Sequence, residues 1–590
     1  MISYHVSLLS LSQQTLKITV SVPAVGDVIS ASLPAWIPGS YKIRDFARNI
    51  GEFSVLNTKG EAVNWSKKDK QSWEIHSNNE ACEISYTVIA NDFSVRGAFI
   101  NDDYAFMNGT SVFIDIENTP DVKRNVFINT CSAPSSWQAY TAMPSSPSPD
   151  SANSFICNSY YELIDHPIYW GVATVKQFEV KGVTFDFLLS GTQPIDINRI
   201  TEDLAPICEH HLSLFGAPSP IDYYLFISLL ADTGYGGLEH RDSTVLMYPR
   251  FDLPLINEPG PASDAYIDYL SLCSHEFFHT WHVKRLRPEV MLAPDLSKEV
   301  YTEQLWIYEG ITSFYDDLTV ARTGKMSPEH YLTILGRHLT RLYHTPGRAK
   351  QTPMESSFDA WTRFYQQDAN SNNHIVSYYV KGGIIAMGLD ILLRSKSNNR
   401  VSLDHVMQYL WNTFGKNEVG TPDNAIHTAC NALGVNVDEY LSDVANGVTD
   451  VDLTSLLNEI GLNLEFRGRT HSSDKGGTPC DNPISNDFGA TLSQTPQGLK
   501  VTQLQQGSAA EKANLLIGDK IIAANDWLVT EPLFMRLIQS QQDHSSIALT
   551  VARQGRLISL ELPVQNAQQK VAVVSIKEKP KYLQWLGLEA

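Results

Sequence analysis

The spacing of hydrophobic and polar positions changes once along the chain. Up to about Tyr248, short apolar or alternating runs are separated by turn clusters rich in Gly, Pro, Asn and Asp, which is typical of β-strands. After Pro261, apolar residues recur every three or four positions, as on one face of a helix. The clearest predicted strands are LKITVSV, ACEISYTVIA, SVFIDI, VTFDFLLSG, DYYLFISLL and STVLMY.

The pattern after Pro261 predicts a series of helices. The first is capped by Ser263 or Asp264, runs through YIDYLSLCSHEFFHTWHVKRL and ends shortly afterwards at Pro288. The next predicted helices are LWIYEGITSFYDDLTVAR, MSPEHYLTILGRHLTRLY, SYYVKGGIIAMGLDILLR and LDHVMQYLWNTF.

Two polar stretches interrupt these patterns. TAMPSSPSPDSANS is rich in Ser and Pro and is predicted to be a surface loop. RGRTHSSDKGGTPCDNP is dense in Gly, Ser, Asp and Pro, as linkers are. Beyond this linker the chain alternates strand, Gly turn, short helix and strand, which predicts a further small module.

The composition is that of an ordinary globular protein. The chain has 590 residues, 43% of them hydrophobic and 19% charged, and its net charge of -20 disfavours binding to nucleic acids and anionic membranes. The seven cysteines include no CxxC pair, and their odd number argues against a disulfide framework. We expect a cytoplasmic protein without a signal peptide, a membrane span, or nucleic-acid or membrane partners.

The strongest chemical signal is the HEFFH segment from His275 to His279, inside the first predicted helix. Residues four positions apart lie on one helix face, so both imidazoles can bind one zinc ion. Glu276 points off that face and can take a proton from the attacking water and pass it to the leaving amine. The alternative is a pair of core histidines on an aromatic helix. The ligand types suit zinc, although cobalt and manganese use the same ones.

A catalytic zinc needs a third protein ligand and an open position for water. We choose Glu309, a lone carboxylate among the apolar residues of WIYEGITSFY, because a carboxylate is unfavourable to bury unless it is paired or bound to metal. The alternative is that Glu309 is an exposed helix residue. His282 follows His279 by one turn, but no G-x-x-H follows it, so we interpret His282 as structural or as support for a ligand. The other downstream carboxylates lie in polar, loop-like or cap-like surroundings: Glu289, Glu299 and Glu303.

These residues resemble a known family, the gluzincin glycyl aminopeptidases that carry a C-terminal PDZ domain. The resemblance extends over most of the chain, and the order and spacing of GGLEH, HExxH and WxxEG are specific. This sequence has His282 where the family has Asn, which concerns only a local bond behind the ligands. The segments that carry the resemblance are LPAWIPGSYKIRDFARNI, YGGLEHRDS, HEFFHTWHVKRLRP, LWIYEGITSFYDDL, SYYVKGG and the PDZ-like tail.

The resemblance implies roles for further residues. Gly236 and Gly237 belong to a sheet edge that binds substrate, and Glu239 holds the free α-amino group through a charge-assisted hydrogen bond. Tyr379 of the YVKG segment stabilises the oxyanion, whereas Tyr378 points about 100° away on a helix. The family also implies cleavage after N-terminal Gly or Ala. Without the resemblance, Glu239 is equally a surface carboxylate at a strand end, and Tyr379 a core aromatic residue.

The segment from about 486 to 570 resembles a PDZ domain, with DFGATL in the position of the carboxylate-binding loop and the strand that follows. A PDZ groove binds an extended C-terminal peptide as an added strand. Because the loop departs from the usual G-L-G-F form, the alternative is a module that only packs on the catalytic domain.

We therefore predict an α+β multidomain protein. Its expected function is that of a one-zinc metalloaminopeptidase acting on peptides with a free N-terminus. One alternative is a zinc endopeptidase assisted by the PDZ-like domain, and another is a non-catalytic peptide-binding protein with a relict metal site. The predicted regions are an N-terminal β-sandwich (1–170), a thermolysin-like catalytic domain with a helical C-terminal part (171–466), a linker (467–485), a PDZ-like domain (486–570) and a C-terminal tail (571–590).

Overall fold

The computed structural model describes residues 1–119, 122–146, 153–542 and 545–589. The loop predicted over TAMPSSPSPDSANS falls partly on residues 147–152, which lie outside the described residues. Contacts within the chain divide it into two compact units. Unit 1 consists of Met1–Tyr301, Tyr315–Lys325 and Met407–Pro422, and unit 2 of Thr302–Phe314, Met326–Val406 and Asp423–Ala590.

The N-terminal part of unit 1 is built from β-sheets. Neighbouring strands are antiparallel, except that Ile2–Ser10 and Arg124–Ile128 run parallel. Buried and more exposed residues alternate along Thr15–Val22, as the sequence predicts for a strand with one face in the core. Among its described residues, this part contains three sheets. The strands of the first are, in spatial order, Ser154–Cys157, Arg124–Ile128, Ile2–Ser10, Thr15–Val22, Cys82–Ile89 and Ile50–Asn57. Those of the second are Asp115–Ile116, Ile29–Ser32, Ser72–Ile75 and Trp65–Lys67, and those of the third are Gln138–Tyr140, Ile168–Gly171, Tyr104–Met107 and Ala98–Ile100.

The SVFIDI segment is not the single strand that its alternation predicts. Its first residues end the short helix Gly109–Val112, and Asp115–Ile116 pairs with Ile29–Ser32. The Asn108 side chain accepts a hydrogen bond from the Thr110 N–H and caps this helix. The prediction was wrong because the helix starts upstream of the alternating residues. A second short helix in this part is Tyr160–Ile164.

The rest of unit 1 is organised around a five-stranded sheet. Its central strands pair in parallel and Tyr223–Ala231 is buried along nearly its whole length, as expected for a strand covered on both faces. Gly236–Glu239 lies at the end of the sheet and is antiparallel to its neighbour, so it is an edge strand. The helices of this part are Ile197–Phe215 and Asp264–Phe278. The strand order is Ala173–Val180, Val183–Ser190, Tyr223–Ala231, Ser243–Pro249 and Gly236–Glu239.

The helix Asp264–Phe278 is shorter than the sequence predicts. The Ser263 side chain caps its start as expected, but the helix ends well before Pro288. Beyond its end, Trp281 stacks on Phe215 with ring centroids 4.9 Å apart. Val283 has a φ of 108°, a backbone conformation that an α-helix does not contain, so the helix cannot run through it towards Pro288.

Helices dominate unit 2 up to Glu459. All four helices predicted downstream of the first are present. The stretch Ser371–Ser397 is long and apolar enough to cross a membrane by length and composition alone, but 72% of its most apolar window is buried inside the protein. Helices Ile311–Arg322 and Leu403–Thr413 belong partly to each unit. The other helices are Pro328–Tyr343, Pro353–Phe358, Tyr378–Ser397, Ala425–Ala432, Asp438–Val444 and Leu453–Glu459, with π-helical turns at Trp306–Gly310 and Ala360–Phe364.

The C-terminal part of unit 2 contains a small sheet module. Phe488, Phe534 and Leu549 belong to an apolar core of its own, which is what an independent module needs. Its helices are Ala509–Lys512 and Glu531–Gln539. Its strands are, in order, Ala490–Thr495, Gly498–Leu504, Lys520–Ala524, Ser546–Arg553 and Arg556–Pro563, with Trp527–Leu528 paired to Lys520–Ala524.

The last segment is not an extended tail. Val571–Ile576 pairs with Leu462–Arg467, and the helix Lys579–Leu586 follows it. Trp585 is buried and donates to Asp390 Oδ2 at 2.8 Å, so this segment is part of the core of unit 2. The predicted linker contains neither helix nor strand after the end of Leu462–Arg467.

Candidate metal and substrate site

His275, His279 and Glu309 each place one ligand atom within 4.8 Å of the other two. His275 Nδ1 lies 3.0 Å from Asp316 Oδ2, and His279 Nδ1 lies 2.8 Å from the carbonyl oxygen of His282. An Nδ1–H that donates leaves Nε2 as the nitrogen that binds a metal. Two imidazoles and a carboxylate are a frequent ligand set of catalytic zinc, so these residues fit one ion.

Glu309 is held in the π-helical turn Trp306–Gly310, and only 2% of its surface is exposed. Single π-turns occur frequently at functional sites, where they redirect a side chain. This turn approaches the helix Tyr378–Ser397 so closely that a Cβ on Gly310 would lie 2.5 Å from the Gly382 Cα. The contact requires glycine and fixes where the turn presents Glu309.

Tyr379 lies in the first turn of that same helix and is only partly buried, whereas Tyr378 is fully buried. The Tyr379 hydroxyl is 3.0 Å from the Tyr365 hydroxyl. Burial and then the negative charge of Glu309 raise the pKa of Tyr379 well above its ordinary value. Tyr379 is therefore a neutral hydrogen-bond donor near the Glu309 carboxylate.

The edge strand Gly236–Glu239 runs directly against Glu276. A Cβ at Gly237 would overlap the Glu276 carboxylate, which is itself almost fully buried. The Thr244 hydroxyl, on the neighbouring strand, donates to the Leu238 carbonyl at 3.1 Å and lies 3.5 Å from Glu276 Oε2. Only glycine at position 237 lets the backbone of this edge strand come so close to a carboxylate.

Glu239 faces the same side of the edge strand as Gly237, because strand side chains alternate with a period of two. The two positions are therefore about 7 Å apart along the strand. Glu239 is 4% exposed, and its Oε1 atom has no hydrogen-bond partner among the residues that the structure describes. The carboxylate lies on Gly39, where a Cβ would overlap it. The site thus holds a buried carboxylate oxygen that lacks a donor.

Contacts of the Asp165 carboxylate fix the end of the edge strand. The next residue, His240, has its Nδ1 3.4 Å from Asp165 Oδ1, and Asp165 also accepts hydrogen bonds from the Lys284 ammonium at 2.6 Å and from the Arg241 N–H at 2.9 Å. Burial alone would raise the pKa of Asp165, but the contacts of this carboxylate, above all the charge of Lys284, outweigh it and hold that pKa far below its usual range. This network holds the backbone that follows Glu239.

Sequence reasoning missed two of these carboxylates. Asp316 is one of two adjacent acids in the apolar helix Ile311–Arg322, a pattern that signals a partner for a buried acid. Burial, together with the charge of Asp317, raises the pKa of Asp316 to about 7. Asp165 gives no such signal, because its partners are distant in sequence. His282 supports His279 through its backbone carbonyl, so that bond does not depend on which side chain stands at position 282.

An HExxH helix with a buried third carboxylate, next to a glycine-rich sheet edge, defines a metallopeptidase. Residues 3–172 match the Peptidase M61 N-terminal domain, and residues 268–385 match the M61 glycyl aminopeptidase domain. The solved structure of the aminopeptidase N family protein from Idiomarina loihiensis is 35% identical with a TM-score of 0.95, covering 99% of this chain and 100% of that chain. The chain belongs to the M61 glycyl aminopeptidase family.

Two further likenesses are weaker. Aminopeptidase A from Legionella pneumophila, solved with aspartic acid, is 14% identical with a TM-score of 0.47, covering 75% of this chain and 48% of that one. Human Tax1-binding protein 3 is 34% identical over 92 residues, which are 15% of this chain and 65% of that protein. This match has the length of one small module, so the similarity is limited to a single module of this chain.

Proposed function

We propose that this protein is a zinc aminopeptidase in which His275, His279 and Glu309 hold one zinc ion. The convergence of their ligand atoms within 4.8 Å supports this ligand set. A bound zinc supplies Lewis-acid chemistry and activates water at neutral pH. Glu276, held against Gly237, takes the proton of the attacking water and passes it to the leaving amine.

The proposal of an exopeptidase depends on Glu239. A buried carboxylate oxygen without a donor is unfavourable, and a substrate ammonium supplies both the charge and the hydrogen bonds that it lacks. Glu239 lies two residues along the strand, roughly 7 Å, from Gly237, the position that contacts Glu276. This separation suits a terminal amine one residue before the scissile bond. Glu239 is therefore the amine anchor.

Tyr379 is the donor to the oxyanion in this proposal. Its hydroxyl stays protonated at neutral pH, because burial and the negative charge of Glu309 raise its pKa. An aligned neutral donor stabilises the negative charge that develops on the carbonyl oxygen. We further propose cleavage after N-terminal Gly or Ala, in line with the family's description.

The test compares an alanyl p-nitroanilide with its N-acetylated form, with metal content measured on the same sample. We expect one zinc per chain and hydrolysis of the free amine only, lost in Glu276→Ala. Equal hydrolysis of the acetylated form, or cleavage inside longer peptides, would support the zinc endopeptidase instead. Hydrolysis unchanged by Glu276→Ala contradicts the catalytic role of this site.

A second proposed activity concerns the C-terminal module, which we propose to bind the C-termini of peptides. A cavity of about 370 Å³ lies between Ala490–Thr495 and Glu531–Gln539, with Phe488, Gly489 and Arg469 in its wall. A strand beside a helix is the geometry in which an extended peptide adds to a sheet edge. Fluorescence anisotropy with a peptide acid and its amide tests this proposal. If the peptide acid does not bind, the result favours the alternative that this module only packs on the rest of unit 2.

A further inference from the structure

Arg96 lies at the free edge of the strand Gly236–Glu239. Its Nε donates to the Ser40 hydroxyl at 3.1 Å, and its Nη2 donates to the Gly237 carbonyl oxygen at 3.2 Å. Nη1 lies 3.9 Å from the place that a Cβ on Gly236 would occupy. The guanidinium therefore lines the strand on the side where, in the part of the chain that the structure describes, no further strand is paired.

The charge of Arg96 is not balanced by the protein. Within the described ranges, no carboxylate lies within 4.0 Å of its guanidinium, and its acceptors are a neutral hydroxyl and a neutral carbonyl. Elsewhere in unit 1, by contrast, Arg241 pairs with Glu418 and Arg285 pairs with Asp242. A partly buried guanidinium with spare N–H donors and no counter-charge is a binding site for a carboxylate.

Along the edge strand, Arg96 contacts the Gly236–Gly237 end, next to the position that faces Glu276, whereas Glu239 stands at the other end. Glu239 stands at one end, Gly237 contacts Glu276 in the middle, and Gly236 lies beside Arg96. A peptide that lies along this strand with its amine at Glu239 has its scissile bond near Glu276. Its following residues then extend towards Arg96, at about 3.3 Å per residue.

We propose that Arg96 binds the C-terminal carboxylate of short peptide substrates. This inference rests on the proposed aminopeptidase function, with Glu239 as the amine anchor. An unpaired carboxylate oxygen and an unpaired guanidinium, separated along one strand, are complementary to the two ends of a zwitterionic di- or tripeptide. The substrate class is therefore short peptides with both termini free.

The experiment compares Gly-Ala-Ala with its C-terminal amide, using the full-length wild type and Arg96→Gln. We expect the wild type to prefer the free acid by about tenfold in kcat/KM, mostly through KM, which is the usual size of one charge-assisted hydrogen bond. In Arg96→Gln the ratio falls to about one, because only the acid loses a partner. Equal kcat/KM for the two peptides in the wild type overturns the proposal, as does an equal loss for both in the variant.

Arg44→Gln is the matched control. Arg44 donates to the same Ser40 hydroxyl at 2.7 Å, so this variant disturbs the same contact. It is expected to keep the preference for the free acid. Loss of that preference in Arg44→Gln as well would assign it to the local fold and not to Arg96.

A binding measurement separates this proposal from the proposed function. Calorimetric titration of zinc-loaded Glu276→Gln with the two peptides reports binding without turnover. Tighter binding of the acid, lost in Arg96→Gln/Glu276→Gln, supports Arg96 even if the wild type hydrolyses neither peptide. Equal binding of acid and amide overturns the role of Arg96, even if both peptides are hydrolysed.

Discussion

At the scale of single residues, the proposed substrate site is marked by a buried carboxylate oxygen without a hydrogen-bond donor and by glycines that leave space for carboxylates. Among the described residues, none donates a hydrogen bond to the buried Oε1 of Glu239, and Gly39 and Gly237 have no Cβ where a carboxylate lies. Glycine at such positions reflects close approach and not only flexibility. These features make the role of each residue testable by a small change.

Replacing Glu239, the proposed amine anchor, tests the role of its charge. Glu239→Gln keeps the shape of the side chain but removes the charge that pairs with an ammonium, so kcat/KM for a free-amine peptide should fall about 10- to 100-fold. Steady-state kinetics measure this. Glu179→Gln, at an exposed position on another strand of the same sheet, is the charge-matched control and should be unchanged.

Gly39→Ala tests whether the carboxylate needs the space above Gly39. The added methyl would overlap Glu239, and Gly39 also has φ of 100°. We expect a raised KM in addition to a stability loss of about 1–2 kcal/mol from backbone strain. Gly60→Ala has a similar φ of 82° with no atom within 4 Å, so it should share the stability loss but keep the kinetics. Equal KM values in the two variants contradict the proposed contact.

At the scale of elements, the position of Glu309 depends on how two helical segments meet. The turn Trp306–Gly310 and the helix Tyr378–Ser397 approach at Gly310 and Gly382, with no room for a side chain. An i, i+4 pair on one helix is set by local geometry, but the third ligand arrives from a separate segment. The ligand set therefore depends on this helix contact.

Gly310→Ala should separate these helices. Overpacking of this kind typically costs about 1–3 kcal/mol, and the shift also moves the Glu309 turn. We expect a lower melting temperature and a reduced zinc content, read by thermal unfolding and elemental analysis. Gly383→Ala is the matched control, since its nearest neighbour would be 3.4 Å away, an ordinary contact. It should keep its zinc and gain up to about 1 kcal/mol of helix propensity.

At the scale of the whole molecule, the N-terminal part and the five-stranded sheet of unit 1 are joined by a buried ionic network. Asp165 follows the short helix Tyr160–Ile164, whereas its partners His240, Arg241 and Lys284 belong to the catalytic part. A buried pair of this type is strongly destabilised when one partner is removed. The network therefore couples the stability of the two parts.

The pH dependence follows from the depressed pKa of Asp165. The folded carboxyl stays charged below its ordinary pKa of about 3.9, so its stabilisation is present above about pH 4 and is lost as pH falls further. Asp165→Asn should be about 3–5 kcal/mol less stable at pH 7. Its stability should also fall less steeply than that of the wild type below about pH 4.

Urea unfolding midpoints measured between pH 3 and 7 check this expectation. Asp102→Asn, at an exposed position in the same part of the chain, is the control and should follow the wild type. A parallel loss of stability with pH in Asp165→Asn and the wild type would mean that other groups dominate the acid sensitivity.

The sequence by itself determined those features of the candidate metal site that depend on residues close together in the chain. The two histidines of HEFFH come together because a helix repeats every 3.6 residues. Glu309 was predicted from its apolar neighbours, since a carboxylate in such surroundings needs a partner, and it is buried in the structure. Strand and helix types followed from hydrophobic period, with errors where SVFIDI begins a helix and where the first helix stops.

Only the tertiary structure decided which distant residues meet. Gly39 contacts Glu239, Asp165 contacts Lys284, and Arg96 reaches the carbonyl of Gly237, and none of these pairs has a local pattern. The physical reason is that the propensity and period of a segment depend on neighbours within a few positions. Burial and charge pairing depend on whatever the folded chain places alongside. The HEFFH helix was therefore visible from local spacing, and Glu239, Gly236, Gly237 and Tyr379 were named only through the family resemblance, but the contacts of Glu239 with Gly39 and of Gly237 with Arg96 came from the tertiary structure.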